Sequence, residues 1–289
     1  ERCAGDRGAH PGGPSNPVTA TPLNGGESVR RLSDLALAWP LARRDVMARY
    51  RGSLAGLAWA LVAPLGMVLV YTLVFRGVFQ ARWGAGDAGA DGFGYVTRLF
   101  AGLMIFQAVS EVAARATRLM QDNANLVKKV VFPLELLAVS LLLQVGVHTA
   151  LQLGMLGLLL LLFGDGLRLS WLLLPLALMW LLVLQYTLAL LLSSVGTYLR
   201  DLQHAVPVAM TGLLFLSPVF YPAEAAPPAL RAILALNPLS TPIELARAAW
   251  FGSSVDVAMV VGQGVVLLLA LVASRWVFKR LRPGFPDLV

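Results

Sequence analysis

Charged residues and cysteine are scarce in this sequence of 289 residues. Asp, Glu, Lys and Arg make up 13% of the chain and 57% is apolar, whereas soluble domains carry roughly 25% charged residues. A soluble single domain is excluded, because such a chain could not cover its surface with polar groups. The one cysteine, Cys3, excludes a disulfide framework and a multi-cysteine metal site. The composition therefore indicates an integral membrane protein.

Motifs for nucleotide binding and catalysis are also absent from the sequence. Without a G-x-x-x-x-G-K-[ST] motif, the chain has no P-loop of its own for ATP. The motifs H-E-x-x-H and G-x-S-x-G are missing too. The histidines are isolated from one another, at His10, His148 and His204. We therefore expect no catalytic residue, metal site or cofactor within this chain.

Six apolar segments are candidates to cross a bilayer, which takes about 20 helical residues. They cover residues 56–75, 99–114, 136–163, 169–192, 205–221 and 257–276. The second is weaker because it is short and carries Glu111, and the fifth because it contains two prolines. The sequence thus predicts an all-α integral membrane protein with six transmembrane helices.

The basic residues orient these spans. Fifteen of the 23 Lys and Arg residues lie on the side that holds both termini, six lie on the other side, and two lie in the distal N-terminal tail. Because cytoplasmic loops are enriched in Lys and Arg, both termini are predicted to be cytoplasmic. The same loops account for the net charge of +7 without a nucleic-acid partner. Residues 1–31 are predicted to be a disordered tail, and residues 283–289 a C-terminal cytoplasmic tail.

Two cytoplasmic segments do not read as ordinary loops. Residues 32–52 predict an amphipathic helix along the membrane surface. It is either a lipid anchor or an element that docks a cytoplasmic partner. Residues 121–133, QDNANLVKKVVFP, predict an apolar helical segment that Asn123 or Asn125 caps and Pro133 ends. Its Lys128 and Lys129 either anchor the segment at the lipid surface or belong to a lever that transmits movement.

On the outer side, residues 222–252 hold two short helical pieces, 228–236 and 242–250, each beginning with proline. Each piece is about half the length of a span. They form either a re-entrant hairpin that caps a pathway or two helices lying on the outer leaflet.

Two further patterns concern helix packing. Small or kinking residues recur every four positions through the first span and predict a close helix contact, within the subunit or at a dimer interface. They are Gly52, Gly56, Ala60 and Pro64. Polar Gln144, His148 and Gln152 form a stripe inside the third span, typical of hydrogen bonding between helices.

Several motifs, in order, resemble one family. RRDVMARYRGSLAGLAWALVAPL (residues 43–65) resembles the entry signature of ABC exporter permeases for lipid-linked polysaccharides, the O-antigen, capsule and teichoic acid group. NANLVKKVVFP is similar to the coupling segment of that family. TYLRDL (197–202), SPVFYP (217–222) and LNPLSTPIE (236–244) are similar to its later blocks. The resemblance covers about residues 32–282.

The resemblance implies a homodimer in a bacterial inner membrane, served by two copies of a separate ATPase subunit that binds Mg-ATP. A lipid-linked polysaccharide would pass between the two permeases. Residues implied to couple to the ATPase are Arg43, Arg44, Asp45, Arg49, Tyr50, Arg51, Asn123, Asn125, Lys128 and Lys129. Candidates for the pathway and its outer gate are Tyr71, Phe75, Phe215, Phe220, Tyr221, Asn237, Pro238 and Glu244.

The aromatic residues among these candidates either stack on sugars or form an interfacial belt. Two other classes of protein also fit the sequence. One is an ABC permease for a drug or small lipid, and the other is a scramblase or scaffold that uses no ATP.

Overall fold

The computed structural model of the chain describes residues 38–47, 58–78, 92–128, 133–164 and 166–289. Within these ranges the regular elements are all helical, which confirms the predicted all-α class for this part of the chain. The α-helices are α1 (38–47), α2 (Trp59–Thr72), α3 (Gly92–Ala116), α4 (Leu119–Asp122), α5 (Ala124–Val127), α6 (Glu135–Phe163), α7 (Leu174–Tyr198), α8 (Leu202–Phe215), α9 (Pro228–Leu236), α10 (Ser240–Phe251), α11 (Val257–Leu281) and α12 (Phe285–Leu288). A wider π turn, Leu73–Val78, follows α2, and a 3-10 turn, Leu169–Leu173, precedes α7.

Four helical stretches of the described residues are long and apolar enough to cross a bilayer. They are Phe93–Ala116, Glu135–Phe163, Leu169–Tyr198 and Val257–Leu288. There are also two shorter apolar helices. Leu61–Thr72 lies within α2, and Leu202–Phe215 is α8. The protein is therefore a multi-pass membrane protein, and the count of six spans stays a prediction.

Several helix bounds differ from those predicted, among them the start of α3 and the end of α8. α3 begins at Gly92 rather than at residue 99, because the helix runs on through polar positions that hydropathy does not register. The Thr97 hydroxyl donates to the Phe93 carbonyl at 2.9 Å, and the Arg98 guanidinium lies 5.4 Å from the centre of the Phe251 ring. α8 ends at Phe215, so residues 216–221 form a turn instead of the end of a span.

Helix α3 lies at the centre of the fold and packs against α2, α6, α7, α8 and α10. Among the four long stretches it is the least apolar and the most buried, with 72% of its most apolar 18 residues inside the protein. The stretch that contains α11 is the most apolar, and only 11% of its most apolar 18 residues are buried. This inverse relation is expected in a membrane, because the lipid-facing surface must be apolar whereas the interior accepts polar groups.

Candidate functional site

Asp45 joins the surface helix α1 to the membrane helix α6. Its Oδ2 accepts a hydrogen bond from Gln144 Nε2 at 3.0 Å, and its Oδ1 accepts one from Arg44 Nε at 2.9 Å. Ala38 and Ala42, one turn apart, are 0% and 1% exposed. Small side chains on one face thus let α1 lie close against the rest of the protein.

The opposite face of α1 is open. Trp39 and Met47 are both more than half exposed, at 53% and 55%, and Arg43 and Arg44 are exposed as well. This apolar and basic surface suits either lipid or a docked protein.

A cavity of about 250 Å³ lies between α1, α4 and α6. Three of the predicted coupling residues line it together with Gln144, namely Arg44, Asp45 and Asn123. Asn125 and Lys128 are exposed and are not among its lining residues. The structure therefore brings part of the predicted coupling set to one place.

Within the described residues 121–128, the predicted helical segment consists of parts of two short helices, α4 and α5. Its residues 129–132 lie outside the described residues. The Asn123 side chain donates to the Leu119 carbonyl at 2.9 Å and gives no cap to α5. Asn125 lies inside α5. Asn123 thus occupies the predicted N-cap position of α5, but its side chain makes no cap hydrogen bond because its amide bonds to the preceding turn. Asn125 is not the cap.

The α4–α5 segment is held from two sides. Gln121 Nε2 donates to the Gly196 carbonyl of α7 at 3.3 Å. A Cβ at Gly196 would lie 2.4 Å from the Thr117 carbonyl oxygen, so only glycine permits this approach of the ends of α3 and α7. On the other side, α12 packs against α5 and α7, and its Phe285 is fully buried. Sequence reasoning missed both contacts.

Polar side chains continue from α1 into the membrane. Arg115 Nη2 donates to Gln144 Oε1, and Arg115 Nη1 lies 3.2 Å from Glu111 Oε1. His148 Nδ1 lies 3.8 Å from Glu111 Oε2. We call the five residues Asp45, Gln144, Arg115, Glu111 and His148 the polar track. Of the predicted stripe on α6, Gln144 bonds to neighbouring helices and His148 lies near Glu111 of α3, whereas Gln152 is not part of the track.

On the predicted outer side, two turns are bonded to each other. Asn237 Nδ2 donates to the Leu216 carbonyl at 2.9 Å and to Ser217 Oγ at 2.8 Å. Its Oδ1 accepts from the backbone N–H of Leu239 at 2.9 Å. Pro238 lies inside this turn, two residues before the start of α10. The predicted gate residue Asn237 therefore fixes the start of α10 against the end of α8.

Arg247 is a buried residue that sequence reasoning counted only as an outer basic charge. Its guanidinium donates to the carbonyls of Pro218 and of Val219, the latter at 2.6 Å, and to that of Arg98 at 3.3 Å. Gly102 faces it, and a Cβ there would lie 2.6 Å from Arg247 Nη2. α10 is almost wholly buried and packs on α3, α7 and the 3-10 turn before α7. The sequence feature that could have identified Arg247 as buried is its position as the single arginine of a short, half-apolar helix.

Glu244 lies on α10, outside the membrane-spanning helices, and is partly buried. The pKa of its carboxyl is raised to about 7: burial is the largest cause, the charges of Glu224 and Asp256 act in the same direction, and the charge of Arg247 opposes them. Its protonation is therefore expected to change near neutral pH.

Four of the predicted pathway aromatics lie together. The rings of Tyr71 and Phe220 meet edge to face at 5.1 Å, and those of Phe215 and Phe220 lie 5.6 Å apart. The Tyr221 hydroxyl donates to the Phe215 carbonyl at 3.0 Å. Phe220 is buried, whereas Phe215 is 55% exposed. The cluster thus closes the junction of α2 with the end of α8.

The structure describes only some of the remaining predicted residues. Pro64 is buried in α2. Outside the described residues lie Arg49, Tyr50, Arg51, Gly52, Gly56, Lys129 and the side chains of Ala60 and Phe75.

Comparison with known proteins places the chain. The family described as ABC-2 type transporter matches residues 37–251. An O-antigen export system permease protein, RfbA, of Klebsiella pneumoniae is 22% identical over 188 residues, 65% of this chain and 69% of that protein. The RfbA protein of Myxococcus xanthus is 30% identical over 184 residues, 63% of this chain and 66% of that protein. The resemblance found in the sequence motifs is confirmed, and the chain belongs to the ABC-2 type transporter family.

Proposed function

We propose that this chain is the transmembrane permease subunit of an ATP-driven exporter for a lipid-linked polysaccharide of the O-antigen, capsule or teichoic acid type. Two copies would work with two copies of a separate ATPase that binds Mg-ATP. The polymer would leave the cytoplasmic side of a bacterial inner membrane through a pathway between the copies. The names of the relatives, both O-antigen export permeases, support the substrate class.

The observation that carries the transport role is the bond between Asp45 and Gln144. Without a P-loop in its sequence, the chain must receive work mechanically at its cytoplasmic surface. A hydrogen bond from α1 to α6 gives such work an entry into the membrane helices. Arg43 and Arg44, on the same helix as Asp45, are exposed, and their basic charge suits a docked ATPase.

We also infer a gate on the outer side, made of α9, α10 and the turn at residues 216–221. α10 is almost wholly buried by other helices, which a cap that does not itself span the bilayer requires. Asn237 and Arg247 bind this turn to α10, so the turn and α10 are expected to move as one body. The aromatics at the junction of α2 and α8 lie where a sugar chain would meet the gate.

Deletion of the gene tests the proposal. We expect loss of a surface polysaccharide and accumulation of its lipid-linked form inside the cell, both restored by the intact gene. A P-loop ATPase should co-purify with the chain. Unchanged surface polysaccharide with accumulation of a drug or small lipid would favour the other permease class. Transport by the purified chain without an ATPase would favour a scramblase.

A further inference from the structure

A second cavity, of about 400 Å³, lies between α2, α3 and α6. Its size falls within the range of about 300–1,000 Å³ that is typical of small-molecule sites. Polar side chains converge on it from α3 and α6, namely Gln107, Glu111, His148, Thr149 and Gln152. Trp59, which is 53% exposed, lies at its rim near the start of α2.

The polar lining is costly where it lies. His148 and Gln152 stand 13 and 17 residues after Glu135, the first residue of α6, which is about 20–26 Å along a helix. Polar groups at this depth are expensive and usually serve a function. The polar track explains Glu111 and His148, but no hydrogen bond within the described residues accounts for the amides of Gln107 and Gln152. Bonding between helices therefore explains only part of this lining.

The charges around the cavity restrict what it can hold. Among the described residues that line it there is neither lysine nor arginine, so an anionic group such as a phosphate would meet Glu111 without a compensating cation in this part of the wall. Arg115 already balances the Glu111 carboxylate at 3.2 Å, so a cation gains little. A neutral ligand fits this wall best.

We propose that this cavity binds a neutral, hydroxyl-rich group, namely a sugar carried on a lipid. This rests on the proposed function and adds an entry subsite to it. Hydroxyl groups donate and accept hydrogen bonds, as the amides of Gln107 and Gln152 do. The Trp59 indole supplies an apolar surface with a polar edge at the rim. The subsite lies beside the polar track, so an occupied cavity touches Glu111 and His148 directly.

Binding is tested with the full chain in lipid nanodiscs and two probes that share an octyl tail. Octyl β-D-glucoside carries a sugar, and tetraethylene glycol monooctyl ether carries none. Both are added below their critical micelle concentrations. The reporter is a bimane label on Met67→Cys in a Cys3→Ser background, because Met67 lines the cavity and is 49% exposed.

We expect a saturable change in bimane emission with the glucoside alone. The double variant Gln107→Leu with Gln152→Leu should weaken its apparent Kd at least about tenfold, which is about 1.4 kcal/mol. The matched control Gln185→Leu, a buried amide of α7 outside the lining, should leave it unchanged. Equal responses to both probes, or unchanged glucoside binding by the double variant, would overturn the site.

Export in cells separates this site from the proposed function. If gene deletion leaves the surface polysaccharide intact while selective glucoside binding holds, the proposed function fails and the sugar site stands. If deletion abolishes export but the double variant exports normally, the permease function stands and the entry subsite is wrong.

Discussion

Replacing Gln144 by leucine should disconnect α1 from the membrane helices. Gln144 is 5% exposed and touches Asp45, Arg115 and Ser140. Leucine has a similar size and suits the membrane, so the helix should still insert. What the variant loses is the bridge between the α1 carboxylate and the arginine of α3.

The magnitude follows from these contacts. Hydrogen bonds to charged groups contribute about 1.5–3 kcal/mol each. The side chains of Asp45 and Arg115 are 33% and 38% exposed, so water compensates part of the loss. Bonds between membrane helices average about 0.6 kcal/mol. We therefore expect a loss of about 1–2 kcal/mol, which is about 5- to 30-fold in an equilibrium.

The assay is polymer export per ATP hydrolysed, measured with the permease and its ATPase in proteoliposomes. Gln144→Leu should lower this ratio at least about fivefold while ATP hydrolysis continues, and Gln185→Leu should not. In a double-mutant cycle, Asp45→Ala and Gln144→Leu should be non-additive, because both remove one bond. Additive losses, or an unchanged ratio in Gln144→Leu, would refute the transmission of work through this contact.

Three other predictions concern the fold, the outer side and the topology. Gly196→Ala should destabilise the protein by about 1–3 kcal/mol through overpacking, seen as a lower melting temperature, whereas Gly212→Ala, whose Cβ would have nothing within 4 Å, should not. The Glu244 pKa of about 7 lies above its ordinary value of 4.5, so its contribution to stability is complete below pH 4.5 and is lost as pH rises through 7. The melting temperature should fall between pH 5 and 8, and less so in Glu244→Gln. A cysteine at Lys128 should resist impermeant thiol reagents in intact cells, whereas one at Ala88 should react.

Each of these has an outcome that contradicts it. Equal melting temperatures of the two alanine variants would contradict the close approach of α3 and α7 at Gly196. The same pH dependence in Glu244→Gln as in the parent would assign the titration to another group. Labelling of Lys128→Cys from outside would overturn the predicted orientation.

Local sequence determined the class of this protein and its family. The length of an apolar segment predicts its insertion into a membrane without knowledge of its neighbours, because each spanning helix satisfies its own backbone hydrogen bonds. The permease motifs are short, ordered blocks, so their resemblance can be read without knowing what they touch. Helix bounds were less accurate where polar residues such as Thr97 and Arg98 lie inside a helix, because hydropathy counts them against a span that tertiary contacts support.

Only the tertiary structure decided which polar groups meet. Asp45 and Gln144 are 99 residues apart in the chain, and Arg247 binds the carbonyl of Val219, 28 residues away. Helix periodicity assigns a residue to a face of its own helix, but it does not say which helix lies opposite. α10 likewise reads as half-apolar, and its burial depends on α3 and α7 closing around it. The sequence states the chemistry of each side chain, whereas the packing of the helices decides which side chains meet.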